Sequence, residues 1–150
     1  MCIFCKINSG EIPSYKIREN NKFIAILDLY PNCRGQALLI SKQHYDSDLF
    51  ATHNKELYQE VILASDEVIQ LLKTKLNVQR VGMIIEGMGV NHLHIKLYPM
   101  HGVEWEWQQN IWGEKVFFEQ YPGYLTTEVG EQADFQELAL GSNPDLYDSD

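Results

Sequence analysis

The chain is poor in cysteine, in basic residues and in long apolar runs, and each shortage excludes a class of protein. Three cysteines in 150 residues do not suit a disulfide framework, so free thiols or metal ligands are expected. The 12 basic residues face 21 acidic ones, and the net charge of -9 argues against a nucleic-acid duplex or an anionic membrane as the main partner. No stretch is apolar enough to cross a bilayer, and the first residues lack a signal-peptide pattern, so we expect a cytoplasmic protein.

What the chain does contain is a series of short apolar segments separated by turn residues. They predict a short helical turn at residues 2–8 and one long helix at 55–75, which carries an apolar stripe and is followed by Asn77 as a stop signal. Strands are predicted at residues 15–19, 23–27, 36–41, 80–85 and 92–98. This order favours an α+β domain built on an antiparallel sheet of about five strands.

The segment 90–99 alternates between polar and apolar residues, so it predicts a strand with two unlike faces. One face carries His92, His94 and Lys96. The other face is apolar: Leu93, Ile95 and Leu97. An imidazole can attack phosphorus, and a neighbouring ammonium can offset the charge on the phosphoryl oxygens, so the polar face suits a phosphate in an open cavity. The alternative is a pair of partly buried histidines that hydrogen bonds satisfy.

Cys2 and Cys5 have the spacing of one half of a tetrahedral zinc site. His44 is a candidate third ligand and His92 a candidate fourth. Because four protein ligands close the coordination shell, such a zinc ion would be structural. The alternative is a pair of buried thiols in a core.

Asp28 stands at the end of a predicted strand. Its carboxylate could accept hydrogen bonds from the two hydroxyls of a ribose. The alternative is a loop aspartate that bonds its own backbone ahead of Pro31. The sequence around Asp28 is compatible with both.

The pattern weakens after Pro99. Residues 101–124 are rich in aromatic side chains without a clean period, and we predict an irregular packed arm that covers the site or a partner subunit. We assign residues 1–125, with this arm, to one domain. Residues 126–150 form a C-terminal extension, whose acidic tail we expect to be mobile.

Four segments in order resemble the histidine triad (HIT) family of nucleotide hydrolases and transferases, in its bacterial zinc-containing type. They are CIFCKI and GEIP within residues 2–13, AILD at 25–28, ISKQH at 40–44 and GMGVNHLHIKLYP at 87–99. The resemblance implies a HIT-like fold, a purine nucleotide or nucleotide conjugate as the ligand, a structural zinc ion and a homodimer.

The resemblance also implies roles for individual residues. His94 matches the nucleophile that forms a covalent nucleotidyl intermediate, His92 matches a supporting histidine, and Asp28 matches the ribose-binding acid. The zinc ligands of the family map onto four residues: Cys2, Cys5, His44 and His92. The nucleotide-binding positions are the following: Ile3, Phe4, Ile7, Ile26, Leu29, Gly87, Gly89 and Val90.

The chain departs from the family motif beside the phosphate position. Lys96 replaces the third histidine, and Met88 and Gly89 stand where Gln and Ser or Thr are usual. Lys96 keeps a cation on the same face, and the resemblance implies catalysis at the α-phosphate of a nucleotide conjugate, such as a nucleoside phosphoramidate or a dinucleoside polyphosphate. Lost phosphate contacts leave the preferred substrate open. The alternatives are a non-catalytic nucleotide-binding module and a zinc-stapled interaction protein that uses its aromatic arm.

Overall fold

The computed structural model describes residues 1–103 and 119–121. Most of the predicted aromatic arm lies outside these residues, as do the predicted domain boundary at residue 125 and the acidic extension at 126–150. Within the described part of the chain, no helix has the length and apolarity needed to cross a membrane.

The described residues form an antiparallel five-stranded sheet with the order β1-β2-β3-β5-β4. Its strands are β1 (Lys16–Glu19), β2 (Phe23–Leu27), β3 (Ala37–Ser41), β4 (Val81–Ile84) and β5 (His94–Pro99). The first three strands pair in chain order, and β5 then lies between β3 and β4. The predicted α+β class with an antiparallel sheet of five strands is confirmed.

The helical elements are a short helix, a 3-10 turn and a long helix: α1 (Ile3–Asn8), Leu49–Thr52 and α2 (Lys55–Leu76). The side chain of Asn54 caps the start of α2, because it accepts a hydrogen bond from the backbone N–H of Leu57 at 3.0 Å. Asn77 ends α2 in the left-handed region with a φ of 52°. The stop signal predicted at this position is therefore confirmed.

The two faces of the sheet bury two separate apolar clusters. On one face, Val61 and Leu72 of α2 pack in a cluster with Ile95 and Leu97 of β5. On the other face, Phe4 of α1 packs in a cluster with strand residues: Ile24, Ile26, Leu38 and Ile40. Burial on both faces explains why β2 and β3 are continuous apolar runs rather than alternating ones.

β5 has the two unlike faces that the alternation predicts, but the strand starts at His94 and not at His92. The backbone turns just before the strand, because the N–H of His92 bonds the carbonyl oxygen of Val90 at 2.9 Å. The rings of His92 and His94 nevertheless both contact Phe4, with centroids 5.7 and 5.2 Å from the Phe4 ring. Both histidines therefore lie on the α1 side of the sheet.

The loop between β4 and β5 contains two glycines in the left-handed region, Gly87 with a φ of 74° and Gly89 with a φ of 87°. A Cβ atom on Gly87 would lie 2.8 Å from the backbone oxygen of Ser47, whose hydroxyl donates to the Gly87 carbonyl at 2.8 Å. A Cβ on Gly89 would meet no atom of the described residues within 4 Å. Both positions need the backbone freedom of glycine, but Gly87 also needs the absence of a side chain.

We therefore expect Gly87→Ala to destabilise the fold more than Gly89→Ala. Left-handed backbone costs each alanine variant about 1 kcal/mol, and the clash with Ser47 adds a further 1–2 kcal/mol or so at position 87. Urea unfolding of the two variants and the parent measures the difference. Equal decreases in the free energy of unfolding of the two variants would show that the contact between Gly87 and Ser47 does not restrict the side chain at position 87.

Candidate functional site

Most of the residues singled out from the sequence lie on the face of the sheet that α1 covers. The N-terminal segment and α1 supply Cys2, Phe4 and Cys5, and the segment after β3 supplies His44. The start of β5, with the loop before it, supplies two further imidazoles, His92 and His94. Two adjacent centres result: a cysteine–histidine cluster and a second imidazole with a lysine near it.

The cluster consists of four residues whose ligand atoms all lie within 4.8 Å of one another: Cys2, Cys5, His44 and His92. The Nδ1 atom of His92 is 3.3 Å from the Sγ of Cys2 and 3.5 Å from the Sγ of Cys5. It is 3.1 Å from the Nδ1 of His44. A tetrahedral ion with bonds of roughly 2.0–2.3 Å separates its ligand atoms by about 3.3–3.8 Å. The cluster thus has the donor atoms and the spacing of a four-ligand metal site.

His92 is fully buried, and both of its ring nitrogens have fixed surroundings. Its Nε2 atom lies 2.7 Å from the carbonyl oxygen of Ser41. Because a carbonyl can only accept a hydrogen bond, Nε2 carries the proton and Nδ1 presents its lone pair to the cluster. A carbonyl partner on the second nitrogen is the usual way in which proteins orient a metal-binding histidine.

The Cys5 thiol has a raised pKa beside Cys2. Burial raises the pKa of the Cys5 thiol, and a hydrogen bond and charge repulsion with Cys2 raise it further. A pair of thiolates at this distance is therefore unfavourable without positive charge. A divalent cation removes the repulsion and holds both sulfurs in the deprotonated form.

His94 lies beside this cluster on β5. Its Nδ1 atom donates a hydrogen bond to the carbonyl oxygen of His92 at 2.7 Å, which places the remaining lone pair on Nε2. Burial lowers the pKa of His94, and this effect exceeds the rise caused by backbone hydrogen bonds to His92 and Met88. A lowered pKa keeps the imidazole neutral at neutral pH, which is the nucleophilic form.

The surroundings of His94 are less open than the alternation of β5 led us to expect. Only 4% of the residue is exposed, and the Phe4 ring packs edge-on against it. The open cavity expected beside this ring is therefore wrong for the described residues. The Nδ1 atom of His94 is satisfied by a hydrogen bond, as the alternative interpretation expected. The nucleophilic atom would be Nε2.

Lys96, at the third position of the motif, is already paired. Its Nζ atom lies 2.6 Å from the Oε1 of Glu86, and the two side chains are only 24% and 11% exposed. The hydroxyl of Tyr121 donates to the Oε2 of the same carboxylate. The positive charge predicted beside the phosphate position is therefore offset by an acid that the motif does not contain.

Asp28 makes the contact that its alternative interpretation predicts. Its Oδ1 accepts a hydrogen bond from the backbone N–H of Tyr30 at 2.9 Å, as in an Asx turn. Its Oδ2 accepts a second one from the Nε2 of Gln36 at 2.7 Å. Each carboxylate oxygen can accept more than one hydrogen bond, so these contacts orient the group and leave acceptor capacity for a ligand.

The remaining nucleotide-binding positions of the sequence prediction have varied surroundings. The side chains of Ile7, Ile26 and Val90 belong to the Phe4 cluster or pack against it. Ile3 is 46% exposed at the start of α1, and Leu29 is half-buried after β2. Gly87 and Gly89 lie in the loop that precedes β5.

Three residues with direct contacts to the candidate site were missed by the sequence argument: Ser41, Gln36 and Glu86. Ser41 orients His92 through a backbone atom, which no motif encodes. Gln36 contacts Asp28, and Glu86 contacts Lys96, in each case across two different segments of the chain. A register for β4 and β5, with Ile84 opposite Lys96, would have placed Glu86 near that lysine.

Comparison with known proteins agrees with this geometry. A model of the HIT domain matches residues 9–102. An uncharacterized HIT-like protein of Mycoplasma genitalium is 38% identical over 105 residues, which cover 67% of this chain and 73% of that protein. An adenosine 5'-monophosphoramidase of Schizosaccharomyces pombe is 33% identical over 112 residues, which cover 69% of this chain and 77% of that protein.

Solved structures extend the comparison to the architecture. The crystal structure of a Zn-bound histidine triad family protein from Mycobacterium smegmatis matches with a TM-score of 0.59 and 26% identity, over 73% of this chain and 82% of that chain. The family match spans more than half of the chain and includes every motif segment after residue 8. The chain therefore belongs to the HIT domain family.

Proposed function

We propose that this protein is a nucleotide hydrolase or transferase that acts at the α-phosphate of a nucleotide conjugate, through a covalent intermediate on His94. The observation that carries the proposal is the 2.7 Å hydrogen bond from the Nδ1 of His94 to the carbonyl oxygen of His92, which fixes the lone pair on Nε2. The adenosine 5'-monophosphoramidases among the relatives support a purine nucleotide with an amine leaving group as one substrate class.

In the first step, the Nε2 atom of His94 forms a bond to the α-phosphorus, and the bond from phosphorus to the leaving group breaks. The leaving group departs with that electron pair and takes a proton from solvent. In the second step, water attacks the same phosphorus and gives up a proton to solvent, the bond to Nε2 breaks with its electron pair returning to the ring, and a mononucleotide is released. The Nδ1–H bond to His92 stabilises the positive charge that the ring carries while phosphorus is attached.

Backbone and side chains around the ring have supporting roles in this proposal. Backbone amides near Gly89 and Val90 offset charge on the phosphoryl oxygens, together with Lys96. Asp28 binds the ribose hydroxyls. The apolar residues near α1, with Phe4 and Ile26 among them, line the pocket for the base.

We also propose that Cys2, Cys5, His44 and His92 hold a structural zinc ion. When bound, the ion supplies a cross-link between the start of α1, the segment after β3 and the residue two positions before His94. The closed set of four protein ligands leaves no position for a reactive water molecule, so the proposed chemistry belongs to His94 alone. With His92 engaged at Nδ1 by the ion and at Nε2 by Ser41, its role is to orient His94.

The state of assembly and the location are proposed on the family resemblance. We infer a homodimer, and β4 offers an edge strand on the described sheet for pairing with a second copy. We keep the expectation of a cytoplasmic location. Light scattering of the purified chain gives its mass in solution, and a monomer would contradict the dimer.

The covalent intermediate is tested with adenosine 5'-phosphoramidate labelled at the phosphorus. We expect turnover to AMP and acid-labile, base-stable label on the protein, both of which His94→Ala abolishes, with a loss of roughly 10³-fold or more in turnover. His101→Ala is the matched control, because His101 is exposed and bonds the carbonyl of Arg34 away from the cluster.

Two results contradict the catalytic proposal in different ways. Nucleotide binding by calorimetry without turnover of a panel of adenosine and guanosine conjugates would indicate a non-catalytic binding module. No measurable nucleotide affinity would favour a zinc-stapled interaction protein.

The zinc proposal is tested by metal analysis of protein purified without chelator. We expect about one equivalent of zinc in the parent and less than about half an equivalent in Cys5→Ser and His44→Ala. Cys33→Ser is the control, because Cys33 is half-buried outside the cluster. A chelator should lower the thermal midpoint of the parent by several degrees, and an unchanged midpoint with zinc-free parent protein would refute the site.

A further inference from the structure

The third position of the motif is occupied by an ion pair and not by a single side chain. Lys96 follows His94 by two residues, so both side chains emerge on the same face of β5, and burial and the charge of Lys96 both lower the pKa of His94. Its Nζ atom is 2.6 Å from the Oε1 of Glu86, and both side chains are largely shielded from solvent. Shielding strengthens the interaction, because water and salt screen a partly buried pair less than an exposed one.

The position of Glu86 follows from the sheet. Ile84 pairs with Lys96 across β4 and β5, and Glu86 lies just past the end of β4 along the same edge. The Oε2 atom of Glu86 accepts a hydrogen bond from the hydroxyl of Tyr121, so both carboxylate oxygens have partners. These two contacts fix the position of the carboxylate beside the lysine.

A neighbouring tyrosine shows the sign of the charge on this side of the site. Burial raises the pKa of Tyr98 to about 12, and the carboxylates of Glu86 and Asp28 add to the rise. At Tyr98, both carboxylates therefore oppose a further negative charge. The ammonium of Lys96 balances only one of them.

We propose that Glu86 determines the class of leaving group, because its ion pair with Lys96 reduces the positive charge beside the α-phosphate and so disfavours polyphosphate anions relative to amines and other uncharged groups. The inference rests on the proposed function, since it assigns a leaving group to that reaction. A polyphosphate leaving group brings several negative charges close to Glu86, whereas an amine carries none. Glu86 is a specificity-determining residue in this scheme, and His94 remains the nucleophile.

The test compares two substrates that share the adenylyl group: adenosine 5'-phosphoramidate and diadenosine tetraphosphate. The quantity measured is the ratio of kcat/KM for the tetraphosphate to kcat/KM for the phosphoramidate. Glu86→Gln unmasks the ammonium of Lys96 and should raise this ratio about tenfold. Glu86→Asp keeps the charge and should leave the ratio within about twofold of the parent.

A double-variant cycle separates this role from a structural one. Adding Lys96→Met to Glu86→Gln removes the unmasked ammonium, so the increase in the ratio should disappear. Lys96→Met alone leaves Glu86 uncompensated and should lower the ratio, which provides a test if Glu86→Gln does not fold. Changes that lower both kcat/KM values together, with the ratio unmoved, would overturn the proposal.

A separate binding measurement distinguishes failure of this inference from failure of the proposed function. If the parent turns over neither substrate, the proposed function fails, and the charge argument is then tested with AMP and ATP by calorimetry. Glu86→Gln should increase the affinity for ATP relative to AMP by about the same factor. An unchanged ratio of affinities would overturn the inference as well.

Discussion

The imidazole of His92 is the constraint on which the rest of the site depends. It is fully buried, its Nε2 atom bonds Ser41 at the end of β3, and its Nδ1 atom faces two sulfurs and a second imidazole. Its carbonyl oxygen accepts the hydrogen bond from His94. One residue thus connects the N-terminal segment, the central strand of the sheet and the neighbouring imidazole, so the position of each limits the positions of the others.

Local sequence patterns were enough to predict much of this arrangement. Alternation placed Ile95 and Leu97 in the core under α2 and His94 on the opposite face, because a strand turns each successive side chain by half a revolution. The spacing of Cys2 and Cys5 indicated a metal site, and the cluster with His44 and His92 has the geometry that such a site needs. The family predicted from four short segments is confirmed over residues 9–102.

The sequence did not predict one local turn and two features that depend on how distant segments meet. The backbone turn that delays the start of β5 until His94 is set by a hydrogen bond to Val90, and alternation alone carries no information about it. The pairing of Lys96 with Glu86 needs the register of β4 against β5. The closeness of Phe4 to His94 needs the docking of α1 on the sheet, so the degree of exposure of this ring could not be judged from one strand.

The bond between His94 and residue 92 is made by a main-chain oxygen, whereas the metal cluster uses the side chain of the same residue. Any amino acid at position 92 supplies that oxygen. The tautomer of the His94 ring depends on the main chain of residue 92, whereas the proposed cation site depends on its side chain. The two properties can therefore change independently. A descendant of this chain without the two thiols would lose the proposed metal site, while the main-chain oxygen of residue 92 would still fix the tautomer of His94.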